Sequence, residues 1–144
     1  MEKPPLILVV DDNPRDITLF QAALENCRIT WPLQVATHAQ NAIAYLRGDP
    51  PYTNRDIHPL PAIVFTDLNM PGGHGFELLA WLRDNSQFRS MPVIVWTTSR
   101  MESDIHRAYE LGAHSYMVKP VNFGQLEHMM RLTFQYWDVC EKPR

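Results

Sequence analysis

Cysteine is scarce in this chain: Cys27 and Cys140 are the only two in 144 residues, far apart and without metal-type spacing. A disulfide framework and a cysteine-based zinc site are thereby excluded as organising devices, and the pair reads as ordinary thiols in a reducing compartment. Long apolar runs are missing too. The stretch Leu6 to Val10 falls far short of the roughly 20 residues that a bilayer-spanning helix needs. Neither a membrane span nor a signal peptide is expected, which makes the cytoplasm the expected location. Basic clusters are also lacking: 13 Lys and Arg stand against 16 Asp and Glu, for a net charge of -3. A dedicated nucleic-acid surface needs a positive face, so DNA and RNA are not expected as direct partners.

What is present is the composition of a folded domain, 45% hydrophobic and 20% charged. The length suits one hydrophobic core, so a single domain over 1–144 is expected, with no separate output domain. Leu6-Ile-Leu-Val-Val10, Ala62-Ile-Val-Phe-Thr66 and Val93-Ile-Val-Trp-Thr97 are short continuous apolar runs rich in branched residues. That is the pattern of strands buried on both faces of a parallel sheet. Leu33 to Thr37 and Ser115 to Val118 are weaker versions of it.

Helical patterns lie between the runs. Asn13-Pro14 reads as an N-cap followed by a first-turn proline, and Ile17, Phe20, Leu24 and Cys27 follow at helical spacing. Further helices are expected at Ala39 to Leu46, Gly75 to Arg83 and Glu102 to Leu111, the last closed by Gly112, with a final one capped by Asn122 and running to about Val139. Strands alternating with helices predict an open, doubly wound α/β domain with a five-stranded parallel sheet and right-handed crossovers. Only 48–61, with four prolines, breaks the alternation; it reads as a long loop of open role.

In such a sheet the ligand site lies outside the carboxyl ends of the strands. The first run ends in Asp11-Asp12, the third-strand run in Asp67, the fourth in Thr97-Thr98 and the last in Lys119-Pro120. Crowded carboxylates repel one another, and hard oxygen ligands with excess negative charge suit magnesium, which in turn favours phosphate oxygens. Lys119 can place a compact positive charge on a phosphoryl group, and the Thr97 hydroxyl can donate to it.

These strand-end groups, together with the string Asp67-Leu68-Asn69-Met70-Pro71-Gly72, resemble the receiver domains of two-component response regulators over nearly the whole chain. The resemblance implies a flavodoxin-like receiver fold with strand order 2-1-3-4-5. It makes Asp67 the phosphoacceptor, Asp11 and Asp12 the acidic pair, Thr97 and Tyr116 the switch residues, and Lys119-Pro120 a cis peptide. Magnesium would be held by Asp12, Asp67 and the main-chain carbonyl of Asn69, with Asp11 acting through water. A sensor histidine kinase is the implied phosphodonor, and the receiver would catalyse only its own phosphorylation and dephosphorylation. The proline-rich insertion and the Asp-Leu-Asn-Met-Pro string look most like the single-domain response regulators of bacterial and cyanobacterial phytochromes. Pro71-Gly-Gly-His-Gly75 departs from many relatives, which carry a larger residue and an aspartate before the last glycine.

Two rival functions remain in view. A small phosphatase with an aspartate nucleophile would place a second aspartate two residues later, where Asn69 stands. An adaptor that works without phosphorylation would not need every chemical group that the strand ends carry. Phe123, Leu126, Met130 and Trp137 form the expected core-facing stripe of the last helix, yet Met129, Leu132, Tyr136 and Cys140 add apolar groups around it. A homodimer through the last strand and last helix, strengthened by phosphorylation, is therefore expected.

Overall fold

The computed structural model describes residues 5–70 and 75–142. The Pro71-Gly-Gly-His74 portion of the divergent loop lies outside them. Strands and helices alternate along the chain: β1 (Ile7–Val10), α1 (Pro14–Asn26), β2 (Leu33–Ala36), α2 (Ala39–Arg47), β3 (Ile63–Thr66), α3 (Gly75–Asp84), β4 (Val93–Thr97), α4 (Glu102–Glu110), β5 (Ser115–Val118) and α5 (Phe123–Val139). The strands form one parallel five-stranded sheet in the order β2-β1-β3-β4-β5, so the order reverses beside β1. Burial follows position. Every residue of β1, β3 and β4 is buried, while the edge strands β2 and β5 are mostly half-buried, as their weaker apolar patterns imply.

The helices cover both faces. Ile7, Val9, Phe65 and Trp96 point toward α1 and α5, where Phe20, Ala23, Leu24, Leu126, Met130 and Phe134 meet them. Leu8, Val10, Val64 and Val95 point the other way, toward α2, α3 and α4. Phe20 joins the layers of its side, with its ring edge-on to Phe65 at 5.0 Å and to Trp96 at 5.8 Å. Trp96 thus packs beneath a helix. The buried stripe of α5 is Leu126, Met130 and Phe134, not the expected Phe123–Trp137 set. Phe123 lies in the first turn of α5 and is 36% exposed, and Trp137 near its end is half-buried.

The local signals hold at the helix ends. Asn13 caps α1 by accepting from the backbone N–H groups of Arg15 and Asp16, and Asn122 caps α5 by accepting from Gln125. Gly112 follows α4 with φ +99°, a left-handed conformation that only glycine adopts without strain.

The 48–61 segment is folded rather than loose. Arg55 donates to the carbonyls of Tyr45 (2.9 Å), Leu46 (2.6 Å) and His58 (3.2 Å), so one guanidinium ties the segment to the last turn of α2. The Tyr45 hydroxyl donates to the Pro59 carbonyl at 2.7 Å. Since α2 starts where β2 ends, this strap packs at the end of the sheet remote from the strands' carboxyl ends.

Candidate functional site

Strand register assembles the site. Val10 pairs with Ala36 and Thr66, and Thr97 pairs with Val118, so the residues that follow leave the sheet side by side. Backbone bonds carry the order one residue further: Asp67 N–H donates to the Val10 carbonyl at 2.9 Å, and Lys119 N–H to the Thr97 carbonyl at 2.7 Å. Asp11, Asp67, Thr97 and Lys119 therefore share one edge, although they come from four strands.

Asp11 is fully buried, and one of its carboxylate oxygens accepts from Asn13 N–H at 3.0 Å. Asp67 is 6% exposed; its Oδ1 accepts from the N–H groups of Leu68 (2.7 Å) and Asn69 (3.2 Å). Between them sits the Lys119 ammonium, at 2.6 Å from Asp11 Oδ2 and 2.8 Å from Asp67 Oδ2. A third carboxylate, Asp16 Oδ2 on α1, lies 2.8 Å away. An ammonium has three N–H donors, and all three are engaged. Burial by itself would push Lys119 down, but the hydrogen bonds to Asp11, Asp16 and Asp67 outweigh it and hold the ammonium above the ordinary lysine range. Burial also pushes the Asp11 carboxyl up; Lys119 and Asn13 N–H oppose this, while the charge of Asp67 reinforces it. Both shifts favour a bound proton, that of Asp11 mainly through burial and that of Lys119 through its three carboxylates.

Asp12 is exposed, and it contributes an oxygen to a trio with Asp11 and Asp67 in which all ligand atoms lie within 4.8 Å of one another. Hard carboxylate oxygens at this spacing, with an unneutralised charge, fit a small divalent cation. Asn69 is exposed, and its contact with the trio is its N–H to Asp67 Oδ1. Thr97 is fully buried, with its hydroxyl oxygen facing the Ser99 N–H at 3.4 Å. Tyr116 is half-buried and donates its hydroxyl to the Ser99 carbonyl at 3.0 Å.

One expectation is overturned. The peptide bond before Pro120 is not cis; the cis bond among the described residues is Pro50-Pro51. A trans bond is the intrinsic preference before proline, and from it Lys119 already reaches all three carboxylates. Two participants went unrecognised in the sequence. Asp16 reads as an acidic residue in the first turn of a helix, favourable to the dipole and nothing more. Ser99 reads as a turn residue, yet it meets Thr97, Tyr116 and Asp104 at once.

The response regulator receiver domain model matches residues 7–131. Response regulator Rcp1 of Synechocystis is 33% identical over 134 residues, covering 93% of this chain and 89% of its own. Its manganese-bound structure superposes with a TM-score of 0.86, covering 98% of this chain and all of that one. The phosphorylated cyanobacterial phytochrome response regulator RcpA superposes at 0.89 with 31% identity, over 99% of this chain and 100% of RcpA. Response regulator RPA3017, of red light signalling in R. palustris, gives 0.92 with 28% identity, over 97% and 99% of the two chains. The carboxylates and lysine gathered at the strand ends thus stand in a known setting: this chain belongs to the response regulator receiver domain family and is similar to the response regulators of phytochromes.

Proposed function

We propose that this protein is a phosphorylation switch that accepts a phosphoryl group on Asp67 from a phosphohistidine of a partner kinase. The observation that carries this reading is the Asp67 carboxylate itself, which is nearly buried and held at 2.8 Å by the Lys119 ammonium. A carboxylate oxygen of Asp67 attacks phosphorus, the phosphorus–nitrogen bond breaks, and the imidazole leaves with its electron pair. The product is an acyl phosphate, which water later cleaves. Backbone N–H groups of Leu68 and Asn69 fix the Asp67 carboxylate, so its attack needs little reorientation. Lys119 offsets negative charge on the transferring group, and the Thr97 hydroxyl, at the end of β4, would donate to its oxygens. Asp12, Asp67 and the Asn69 carbonyl would hold magnesium, with Asp11 acting through water, and the ion would supply further neutralisation of those oxygens.

The similarity to phytochrome response regulators supports a phytochrome-type histidine kinase as the partner. Among the described residues no helix is long and apolar enough to cross a membrane. Output runs through a surface. On α5, Leu132, Tyr136 and Val139 are 52%, 70% and 81% exposed, and they support self-association through β5 and α5. Sedimentation with and without phosphodonor tests that part: Tyr136→Glu should weaken association, and a dimer indifferent to both mutation and donor refutes it.

Incubation with acetyl phosphate and magnesium, followed by intact-mass measurement, tests the central reading. The wild-type protein should gain one phosphate and Asp67→Asn none. Asp67→Asn protein that is phosphorylated at the wild-type rate would sink the assignment.

A further inference from the structure

The three hydrogen bonds of Lys119 are not equivalent. Asp11 and Asp67 belong to the trio that fits a divalent cation, whereas Asp16 stands outside it. Asp16 is held by the helix instead: its N–H donates to Asn13 Oδ1 at 3.2 Å in the first turn of α1. A cation and a phosphoryl group both draw on the oxygens of Asp11 and Asp67, and whatever they take is lost to the ammonium. The Asp16 contact carries no such competing demand. Its side chain is 25% exposed, against 1% for Asp11 and 8% for Asp67, so it reaches the lysine from the solvent side.

We infer that Asp16 is a positioning residue: its carboxylate anchors the Lys119 ammonium beside Asp67 when the trio is occupied by a cation and the transferring group. Without it, a side chain with four flexible bonds is held only by groups committed elsewhere. The ammonium then spends time away from the developing charge, and transfer slows. The ion pair stands on geometry alone, and its kinetic consequence rests on Asp67 being the phosphoacceptor.

The competing account makes Asp16 a helix-capping acid and no more. Two measurements on the full chain in magnesium chloride separate the accounts. The first is acylation of lysines by an amine-reactive ester, read by peptide mass spectrometry with Lys142 as internal reference. Lys119 side-chain exposure is 7%, so wild-type labelling should be slow, and Asp16→Asn should raise it roughly tenfold, the low end of what one hydrogen bond between charged groups is worth. The second is phosphorylation by acetyl phosphate. Asp16→Asn should lower the maximal rate by roughly the same factor, leave the half-saturating magnesium concentration in place, and be rescued in part by Asp16→Glu.

Unchanged labelling and unchanged rate in Asp16→Asn, with only a lowered melting temperature, would leave a cap and overturn the inference. A magnesium affinity that falls as far as the rate would place Asp16 in the metal site and overturn it as well. If the wild type takes up no phosphate while Lys119 labelling still rises in Asp16→Asn, the phosphoacceptor reading fails and the anchoring of Lys119 by Asp16 stands.

Discussion

The Tyr116 hydroxyl donates to the Ser99 carbonyl across 3.0 Å, tying β5 to the segment that leaves β4 just beyond Thr97. Ser99 in turn donates its hydroxyl to Asp104 Oδ2 at 2.6 Å, so the same turn is fastened to α4. Replacing Tyr116 with Phe keeps the ring and removes one bond. Stability should fall by about 0.5–1.5 kcal/mol, the net worth of a neutral hydrogen bond. Urea unfolding of Tyr116→Phe reads this directly, and an unchanged midpoint would mean that the tie contributes nothing in solution.

Magnesium should stabilise the folded state by mass action, because the Asp11, Asp12 and Asp67 oxygens are gathered only on folding. At a hundredfold excess over the dissociation constant the gain is about 2.7 kcal/mol. Asp12 is exposed, so Asp12→Ala should alter the metal-free melting temperature little while removing most of the magnesium response. Identical wild-type melts across a magnesium titration would count against the site.

Alkaline titration probes the ammonium. The folded-state pKa of Lys119 lies above its ordinary value of 10.5, so between those two values the folded protein binds more protons than the unfolded chain. The resulting stabilisation is complete below pH 10.5 and is lost as pH rises through the folded pKa. One proton sets a slope of at most about 1.4 kcal/mol per pH unit. Tyr45 and Tyr116, pushed up by burial, add a loss of the same sign above pH 10.0. In metal-free buffer, Lys119→Met should show a shallower alkaline decline than wild type, and equal slopes would contradict the ion-pair cluster.

Gly75 opens α3 directly against the backbone of Asp67 and Leu68. A Cβ at this position would fall 2.0 Å from the Asp67 carbonyl oxygen and 3.0 Å from Leu68 Cα. Backbone cannot yield as a flexible side chain can, so Gly75→Ala should cost about 1–3 kcal/mol by overpacking. It should also slow phosphorylation of the fraction that stays folded, since the Asp67 backbone must shift. Calorimetry with parallel phosphorylation assays checks both; a variant with wild-type melting and rate would show that the contact relaxes freely.

Much of this protein was legible residue by residue. Buried parallel strands are unbroken apolar runs, so β1, β3 and β4 announce themselves, and their last residues place Asp11, Asp67 and Thr97 at one sheet edge by topology alone. Asn13 and Asn122 are equally plain, because a cap bonds within three residues of itself. The stripe of α5 was misread at both ends because periodicity gives the face of a helix but not where along its length the sheet lies beneath it. The partners of Lys119 lay beyond local reading: its bonds to Asp11 and Asp16 span 108 and 103 positions. Composition and pattern determined an α/β domain with acidic strand ends. Only the packing of α1 against the sheet decided that Asp16 completes the lysine's set of carboxylates, because an ion pair depends on side-chain distance in space and leaves no mark in the periodicity of either segment.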